Sequence, residues 1–325
     1  MNDKKRIWPA VCLVILSLAL IIIGIIRLDI PRRAIEKIKS LSRKDVTVFE
    51  EKIDIDGLSE EFTIFYVADA HICLCDDRDG EIKDVLASRY NEFKRDSKGS
   101  EKNFSIVMDY VRKQNPDLVV FGGDLTDEAS YASIEYVQKE IDKLECPYIF
   151  IMGNHDFMYG DEYFSEKAYD EYFKRFDGLN EVKEGCQIAE YGNFNILALD
   201  DCNNQVCEET PEAIEKLKED GKPVIVMQHV PFVPTYGTSD LIEATNALWG
   251  SAYRDYSRVL MGQYANVPNE STSELIDFVS EEDGLAKIVV AGHVHFYHKD
   301  YMSPDTVQIT VKPAFERGVQ KITLY

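Results

Sequence analysis

The 325-residue sequence predicts an α/β domain preceded by one N-terminal transmembrane helix. Three observations support this prediction. Short apolar runs alternate with segments of helical periodicity, which is typical of a sheet covered by helices. Several of these runs end directly before Asp, Asn or His, so polar side chains are expected to collect at the strand ends. A charge-free run of 20 residues, 7–26, precedes all of them.

Residues 7–26 have the length and composition of a membrane helix. Rising about 1.5 Å per residue, the run would cross the roughly 30 Å hydrocarbon core of a bilayer. A cleaved signal peptide is the alternative, although no small-x-small cleavage site follows. The basic residues before the run favour a cytoplasmic N-terminus, whereas the basic residues after it favour the reverse orientation. The short basic tail before the apolar run is typical of a signal-anchor. We therefore expect a single-pass membrane protein with an extracytoplasmic globular domain: tail and helix over 1–26, basic stalk over 27–45, and domain over 46–325.

The first strand of the globular domain is predicted at 62–67, where β-branched and aromatic residues are concentrated. Residues 72–100 are charged and irregular, and their length predicts a functional loop. Apolar runs predict eight further strands at 118–120, 147–152, 186–191, 194–199, 224–227, 287–291, 307–311 and 319–324. Gly192 and Asn193 predict a tight hairpin between two of these strands. Helical periodicity predicts helices over 103–113, 130–144, 159–176 and 211–218.

Residues 231–270 form an insert between two predicted strands and are rich in aromatic side chains. They also include Arg254 and Arg258, which are suited to binding an anionic group. One interpretation is that the insert forms a wall of a substrate pocket. The other is that its aromatic residues pack the core of a small subdomain: Phe232, Tyr236, Trp249, Tyr253, Tyr256 and Tyr264.

The formal charge of −22 is distributed unevenly. Residues 1–44 hold ten Lys and Arg against three acidic residues, so the rest of the chain has a net charge of −29. A body this acidic repels a nucleic-acid backbone, and we expect no binding to one. The seven cysteines show no CxxC spacing, while Cys202 and Cys207 are close enough in sequence to pair in an oxidising compartment.

Five segments bring metal-binding residue types to predicted strand ends. They are DAH at 69–71, GDLTD at 123–127, GNHD at 153–156, His229 after the strand at 224–227, and GHVH at 292–295. Five of the six histidines lie in these segments, which a random scatter of histidines would not produce. Imidazole and carboxylate together are typical ligands of transition metals, so the sequence predicts a metal centre.

In the order DxH, GDxxD, GNHD, H and GHxH, these segments resemble the motifs of the calcineurin-like metallophosphoesterase superfamily over about residues 70–295. The resemblance implies a two-sheet β-sandwich flanked by helices, with two divalent metals at the strand ends. It also implies a first metal held by Asp69, His71 and His295, a second held by Asn154, His229 and His293, and Asp124 bridging the two. Mixed nitrogen and oxygen ligands suit Mn, Fe or Zn.

The same resemblance implies hydrolysis of a phosphomonoester or phosphodiester by a hydroxide that the two metals share. His155 is expected to face the leaving group, Asp127 to orient the His155 ring, and Asp156 to support the loop from behind. Glu128 stands where the phosphoprotein phosphatase branch has Arg, so the motif is more similar to the phosphodiesterase-type branches. The alternative is a catalytically inactive relative that binds metal and acts as a ligand- or partner-binding module.

Overall fold

The computed structural model describes residues 46–160, 165–179, 185–249, 260–262 and 267–325. Residues from Val46 to Tyr325 form one compact unit. Within the described ranges, no helix is both long and apolar enough to cross a membrane. Several predictions fall outside those ranges: the membrane helix, the basic stalk, and Tyr253, Arg254, Tyr256, Arg258 and Tyr264 of the insert.

The strands form two sheets. They are β1 (Thr47–Ile53), β2 (Phe62–Val67), β3 (Leu118–Gly122), β4 (Tyr148–Ile151), β5 (Cys186–Glu190), β6 (Asn195–Leu199), β7 (Val224–Met227), β8 (Ala286–Ala291), β9 (His298–Tyr301), β10 (Val307–Thr310) and β11 (Gly318–Leu324). The first sheet has the order β1-β11-β2-β3-β4, and the second has the order β5-β6-β7-β8-β10-β9.

Parallel pairing within each sheet determines where the loops meet. Strands β2, β3 and β4 are parallel neighbours, and so are β6, β7 and β8. The C-terminal ends of each parallel set therefore lie at one edge of its sheet. The predicted hairpin is confirmed, because β5 and β6 pair antiparallel with Glu190 opposite Asn195.

Helices cover the outer faces of both sheets. They are α1 (Lys83–Glu92), α2 (Ser100–Gln114), α3 (Tyr131–Ile141), α4 (Glu166–Tyr172), α5 (Thr210–Asp220), α6 (Leu241–Trp249) and α7 (Glu270–Ser280). Apolar residues of α2 and α3 join one cluster with the outer face of the first sheet. Residues of α5 and α7 join another with the outer face of the second.

Alternation along β2 shows how the two layers share one strand. Ile64 and Tyr66 point into the apolar cluster between the sheets, whereas Phe65 and Val67 point outward to the helices. All four are fully buried or nearly so, which explains why the strand reads as a continuous apolar run. The predicted α/β class and the two-sheet sandwich flanked by helices are thus confirmed.

The prediction of an irregular loop over residues 72–100 is wrong. These residues include a 3-10 turn, Asp77–Ile82, followed by helix α1 and the start of α2. Only Leu86 of α1 is buried, so the sequence of α1 lacks the apolar stripe that marks a packed helix. Ion pairs of its charged residues, described below, connect it to the rest of the domain.

Other elements also differ from prediction. Strands β1 and β9 were not predicted, because their charged residues mask the alternation of a half-buried strand. The helix expected over 159–176 is shorter among the described residues: α4 is followed by a 3-10 turn, Phe173–Phe176. Two helices were not predicted: α6 lies inside the insert, and α7 begins at the last residue of the insert, Glu270.

Cys207 lies beside a different thiol from the one its sequence position indicated. The thiols of Cys186 and Cys207 share a hydrogen bond, and Cys207 Sγ lies 3.3 Å from Thr210 Oγ1. Cys202, in contrast, is fully buried. In an oxidising compartment, a disulfide from Cys207 is therefore expected to join Cys186 rather than Cys202.

Candidate metal centre

The polar segments lie at the C-terminal strand ends and adopt an unusual backbone conformation. Five of the predicted ligands have a positive φ, which non-glycine residues adopt only where their surroundings enforce it. They are Asp69 (φ 55°), His71 (φ 44°), Asp124 (φ 52°), His293 (φ 69°) and His295 (φ 60°). Asp and His are among the residues that tolerate this conformation best. The tight turns aim these side chains into one space.

Two glycines allow the loops to approach each other. A Cβ on Gly153 would lie 2.3 Å from Asp124 Oδ1, and one on Gly123 would lie 2.5 Å from His229 Nδ1. Gly123 also has a φ of +87°, a conformation that L side chains rarely adopt. Any larger residue at either position would push a predicted ligand out of place.

The first group of candidate ligands surrounds His71. The donor atoms of four residues all lie within 4.8 Å of one another: Asp69, His71, Asp124 and His295. His71 Nε2 lies 2.9 Å from His295 Nε2 and 3.6 Å from Asp124 Oδ2. His295 Nε2 lies 3.5 Å from Asp69 Oδ1. Two imidazoles and two carboxylates thus converge as they would around one cation.

The second group surrounds His229. Its Nε2 lies 3.3 Å from Asp124 Oδ2, from Asn154 Oδ1 and from His293 Nδ1. His229 Nδ1 lies 2.7 Å from the Gly122 carbonyl oxygen, to which it must donate a hydrogen bond. That donation leaves the Nε2 lone pair directed at the centre, the tautomer that a metal ligand requires.

Asp124 belongs to both groups, and its two oxygens have different surroundings. Oδ1 accepts a hydrogen bond of 2.8 Å from the His155 backbone N–H. Oδ2 accepts none although it is buried, and the same is true of Asp69 Oδ2. An ionised oxygen buried without a donor is costly. Two such oxygens amid four imidazoles, those of His71, His229, His293 and His295, fit a pair of divalent cations, with Asp124 shared between them.

Two further carboxylates hold the ligand loops from behind. Asp156 accepts hydrogen bonds of 2.8–2.9 Å from the backbone N–H groups of Asp124, Thr126 and Gly153, as expected for a supporting residue. Asp201 accepts bonds from the N–H groups of His229 (2.8 Å) and of the residue after it (2.6 Å). Sequence analysis missed Asp201, although it follows β6 in the pattern that marked the other sites.

His155 and Asp127 form a unit beside the metal ligands. Asp127 Oδ1 lies 3.1 Å from His155 Nδ1 and accepts a 2.8 Å hydrogen bond from His71 Nδ1. The predicted orienting carboxylate therefore contacts both the predicted leaving-group histidine and a predicted ligand. Arg89 also bonds to Asp127; residues 72–100 were predicted to be functional, but Arg89 was not singled out among them. The structure thus brings all nine predicted site residues to one edge of the domain.

Burial and mutual charge shift the proton equilibria at this edge. Burial raises the pKa of Asp69 to about 8. Burial alone would lower the pKa values of His155 and His229, but the negative charge of Asp124 and other carboxylates raises them to about 9 and about 10. Burial and neighbouring imidazoles lower the pKa of His295 well below its usual range.

These shifts predict that metal-free protein loses stability from pH 7 to pH 9. Unfolded Asp and His have released their protons by about pH 7. Folded Asp69, His155 and His229 retain protons until their raised pKa values of about 8, 9 and 10. Stability from these groups is thus present at low pH and is lost as the pH rises through those values. We expect Tm in chelator to fall between pH 7 and pH 9, and to fall less with saturating metal, which displaces the protons. A Tm in chelator that stays constant or rises would contradict the assignment.

The described part of the insert approaches the metal centre through one aromatic residue. The Trp249 ring centroid lies 5.0 Å from that of His295, and Trp249 Nε1 donates to the Val294 carbonyl oxygen over 3.3 Å. Phe232, in contrast, is fully buried in the cluster beneath the second sheet. Trp249 therefore fits the interpretation of the insert as a pocket wall, and Phe232 fits its interpretation as part of a core. His298 lies on β9, paired with Asp240 and Asp300 and away from the ligand groups.

Comparison with known proteins agrees with the family resemblance of the sequence motifs. A family model described as calcineurin-like phosphoesterase matches residues 62–297. A probable cyclic nucleotide phosphodiesterase of Synechococcus sp. is 40% identical over 50 residues, 15% of this chain and 20% of that protein. One of Pseudoalteromonas sp. is 30% identical over 98 residues, 30% of this chain and 32% of that protein. The matches thus span a third or less of these curated relatives.

Among solved structures, a dimetal phosphatase from Danio rerio has a similar fold. The TM-score is 0.51, and the alignment covers 81% of this chain and 93% of that chain at 14% sequence identity. At this identity the likeness concerns the fold alone. It agrees with the two-sheet architecture described above.

Proposed function

Because the chain belongs to the calcineurin-like phosphoesterase family, we propose that it is a dinuclear metal-dependent phosphoester hydrolase. The observation that carries the proposal is Asp124, whose Oδ2 accepts no hydrogen bond and lies between His71 and His229. A carboxylate shared by two ligand groups is the arrangement that a two-metal hydrolytic site requires. When bound there, two divalent cations would polarise the phosphoryl group and lower the pKa of a water nucleophile.

The chain's own residues would orient the substrate and deliver a proton. Against the opposing effect of burial, Asp124 and Asp127 raise the pKa of His155 to about 9, which favours its cationic form. Its Nδ1 faces Asp127, which leaves Nε2 to donate its proton to the departing oxygen. Asp127 keeps the ring in that orientation and stabilises its positive charge.

For the substrate class, we propose that the preferred substrate is a phosphodiester rather than a phosphomonoester. Two observations support this preference. Glu128 follows the GDLTD segment at the position where protein phosphatases of the superfamily have Arg, and the curated relatives are named as probable cyclic nucleotide phosphodiesterases. Glu128 is buried, and its Oε2 accepts a 2.8 Å hydrogen bond from the Gly160 N–H, so it supports the loop rather than offering a charge to phosphate.

We also propose that residues 7–26 anchor the protein in a membrane, with the catalytic domain outside the cytoplasm. The length and charge-free composition of the run support the anchor, and the basic tail before it supports the orientation. Resistance of the full chain to alkaline carbonate extraction tests the anchor. Protease digestion of intact cells or spheroplasts tests the orientation, and a domain protected until lysis would contradict it.

Hydrolysis assays test the proposed reaction. The full chain in detergent, loaded with Mn, is expected to cleave bis-para-nitrophenyl phosphate faster than para-nitrophenyl phosphate. A chelator should abolish both activities, and added metal should restore them. If the loaded protein binds two metals yet cleaves neither ester nor a panel of cyclic nucleotides and phospholipids, the alternative of an inactive binding module replaces the proposal.

A further inference from the structure

Arg89 of helix α1 makes a two-point contact with Asp127. Its Nε donates to Asp127 Oδ2 over 2.6 Å, and its Nη2 donates to Asp127 Oδ1 over 2.9 Å. Its remaining nitrogen, Nη1, bonds to Glu92 Oε2 over 2.7 Å, one helical turn further on. The guanidinium plane is therefore fixed at both edges, the geometry in which Arg recognises a carboxylate most specifically.

Asp127 needs this partner because it is fully buried and serves two histidines. Oδ1 alone accepts from His71 Nδ1 and faces His155 Nδ1. Oδ2 bonds to Arg89. Without the guanidinium, the carboxylate would be free to rotate about its last bond, and neither imidazole would have a fixed acceptor. Removing one charged partner of a buried carboxylate also destabilises the folded state, because it leaves an uncompensated charge in the interior.

A second contact path leads from Arg89 to the same ligand. The guanidinium carbon lies 4.8 Å from the centroid of the Phe93 ring. Phe93 in turn stacks on the His71 imidazole, with ring centroids 4.2 Å apart and an interplanar angle of 8°. Arg89 thus contacts His71 indirectly in two ways: through Asp127, which accepts a hydrogen bond from His71 Nδ1, and through Phe93, which stacks on the His71 ring. Both contacts come from residues in or just after α1, within the segment 72–100 that was predicted to be functional.

We propose that Arg89 is a positioning residue of the hydrolytic site. By holding Asp127 in place, Arg89 fixes the ring orientation of two histidines, the metal ligand His71 and the proton donor His155. This inference deepens the proposed function and rests on it. It predicts that metal affinity and leaving-group dependence change together when Arg89 is replaced, because one carboxylate orients both histidines.

The test compares Arg89→Met, Arg89→Lys and a matched control, Arg78→Met. Arg78 also lies between residues 72 and 100, pairs with two carboxylates and contacts an aromatic ring, but its partners are Asp76, Glu135 and Tyr131. For each protein we would measure Mn and Co affinity, Tm in chelator, and kcat across phosphodiesters with leaving groups from nitrophenolate to alkoxide.

For Arg89→Met we expect metal affinity to fall about 10- to 100-fold, as when the partner of a metal-binding histidine is removed. The loss in kcat should reach about 100-fold for alkoxide leaving groups and be much smaller for nitrophenolate, which departs without a proton. Arg89→Lys keeps the charge and should recover part of both properties. Arg78→Met should match the wild type in both.

Two results would overturn the inference. One is a folded Arg89→Met protein with wild-type metal affinity and unchanged leaving-group dependence. The other is a variant that loses only Tm, which marks a structural role alone, and Arg89→Lys provides the same comparison if Arg89→Met does not fold. Should the wild type cleave no phosphoester, the proposed function fails separately, while the metal-affinity comparison still decides whether Arg89 positions His71.

Discussion

Replacing Asp124 by Asn is expected to lower kcat about 1,000-fold and to reduce bound metal from two ions per chain to one or none. Oδ1 must still accept the His155 N–H, so the oxygen of Asn occupies that place and its NH₂ group points where Oδ2 now lies. A donor at that point repels both cations. Two-metal stabilisation supplies several kcal/mol, and about 1.4 kcal/mol corresponds to tenfold in rate, which gives the expected loss.

Asp300→Asn is the matched control for this experiment. Asp300 is also a buried carboxylate paired with a histidine, but its partner His298 belongs to neither ligand group. This variant should keep both metals and wild-type kcat. If Asp124→Asn still binds two metals per chain, the shared-carboxylate assignment is wrong, whatever happens to the rate.

Replacing His155 by Ala is expected to lower kcat about 100- to 10,000-fold while both metals remain bound. The backbone N–H of residue 155 persists in the variant, so Asp124 Oδ1 keeps its hydrogen bond and its orientation. Only the imidazole is lost, and with it the proton for the leaving group. Kinetics with nitrophenolate and alkoxide esters, combined with metal analysis, would separate this loss from a loss of metal.

His298→Ala is the histidine control, since His298 bonds to Asp240 and Asp300 away from the ligands. It should leave kcat and metal content unchanged. A His155→Ala protein that loses metal as well as rate would identify His155 as a ligand rather than a proton donor.

The sequence alone predicted the residues whose types are tied to chemistry. Four of the predicted ligands stand out because histidine is scarce in this chain and most of its histidines follow predicted strands. They are His71, His229, His293 and His295. Asp124 stands out because a glycine pair precedes it at the end of an apolar run. The α/β class followed from the same alternation, because both faces of the parallel strands are buried.

The residues that sequence analysis missed depend on tertiary contact. Arg89 and Phe93 lie in or beside a helix with one buried residue, so no apolar period distinguished them from an exposed charged loop. Strand β1 pairs with β11 at the far end of the chain, and that pairing, rather than its own charged sequence, makes it a strand. Asp201 offered a signal, a carboxylate after β6, but acts through backbone N–H groups that no motif records.

The most direct test of the central claim, that Asp124 joins two cations, is the electron paramagnetic resonance spectrum of Mn-loaded protein together with elemental analysis. We expect two Mn per chain with the spectrum of an exchange-coupled pair, and loss of that coupling in Asp124→Asn. One Mn per chain, or two with uncoupled signals in the wild type, would contradict it.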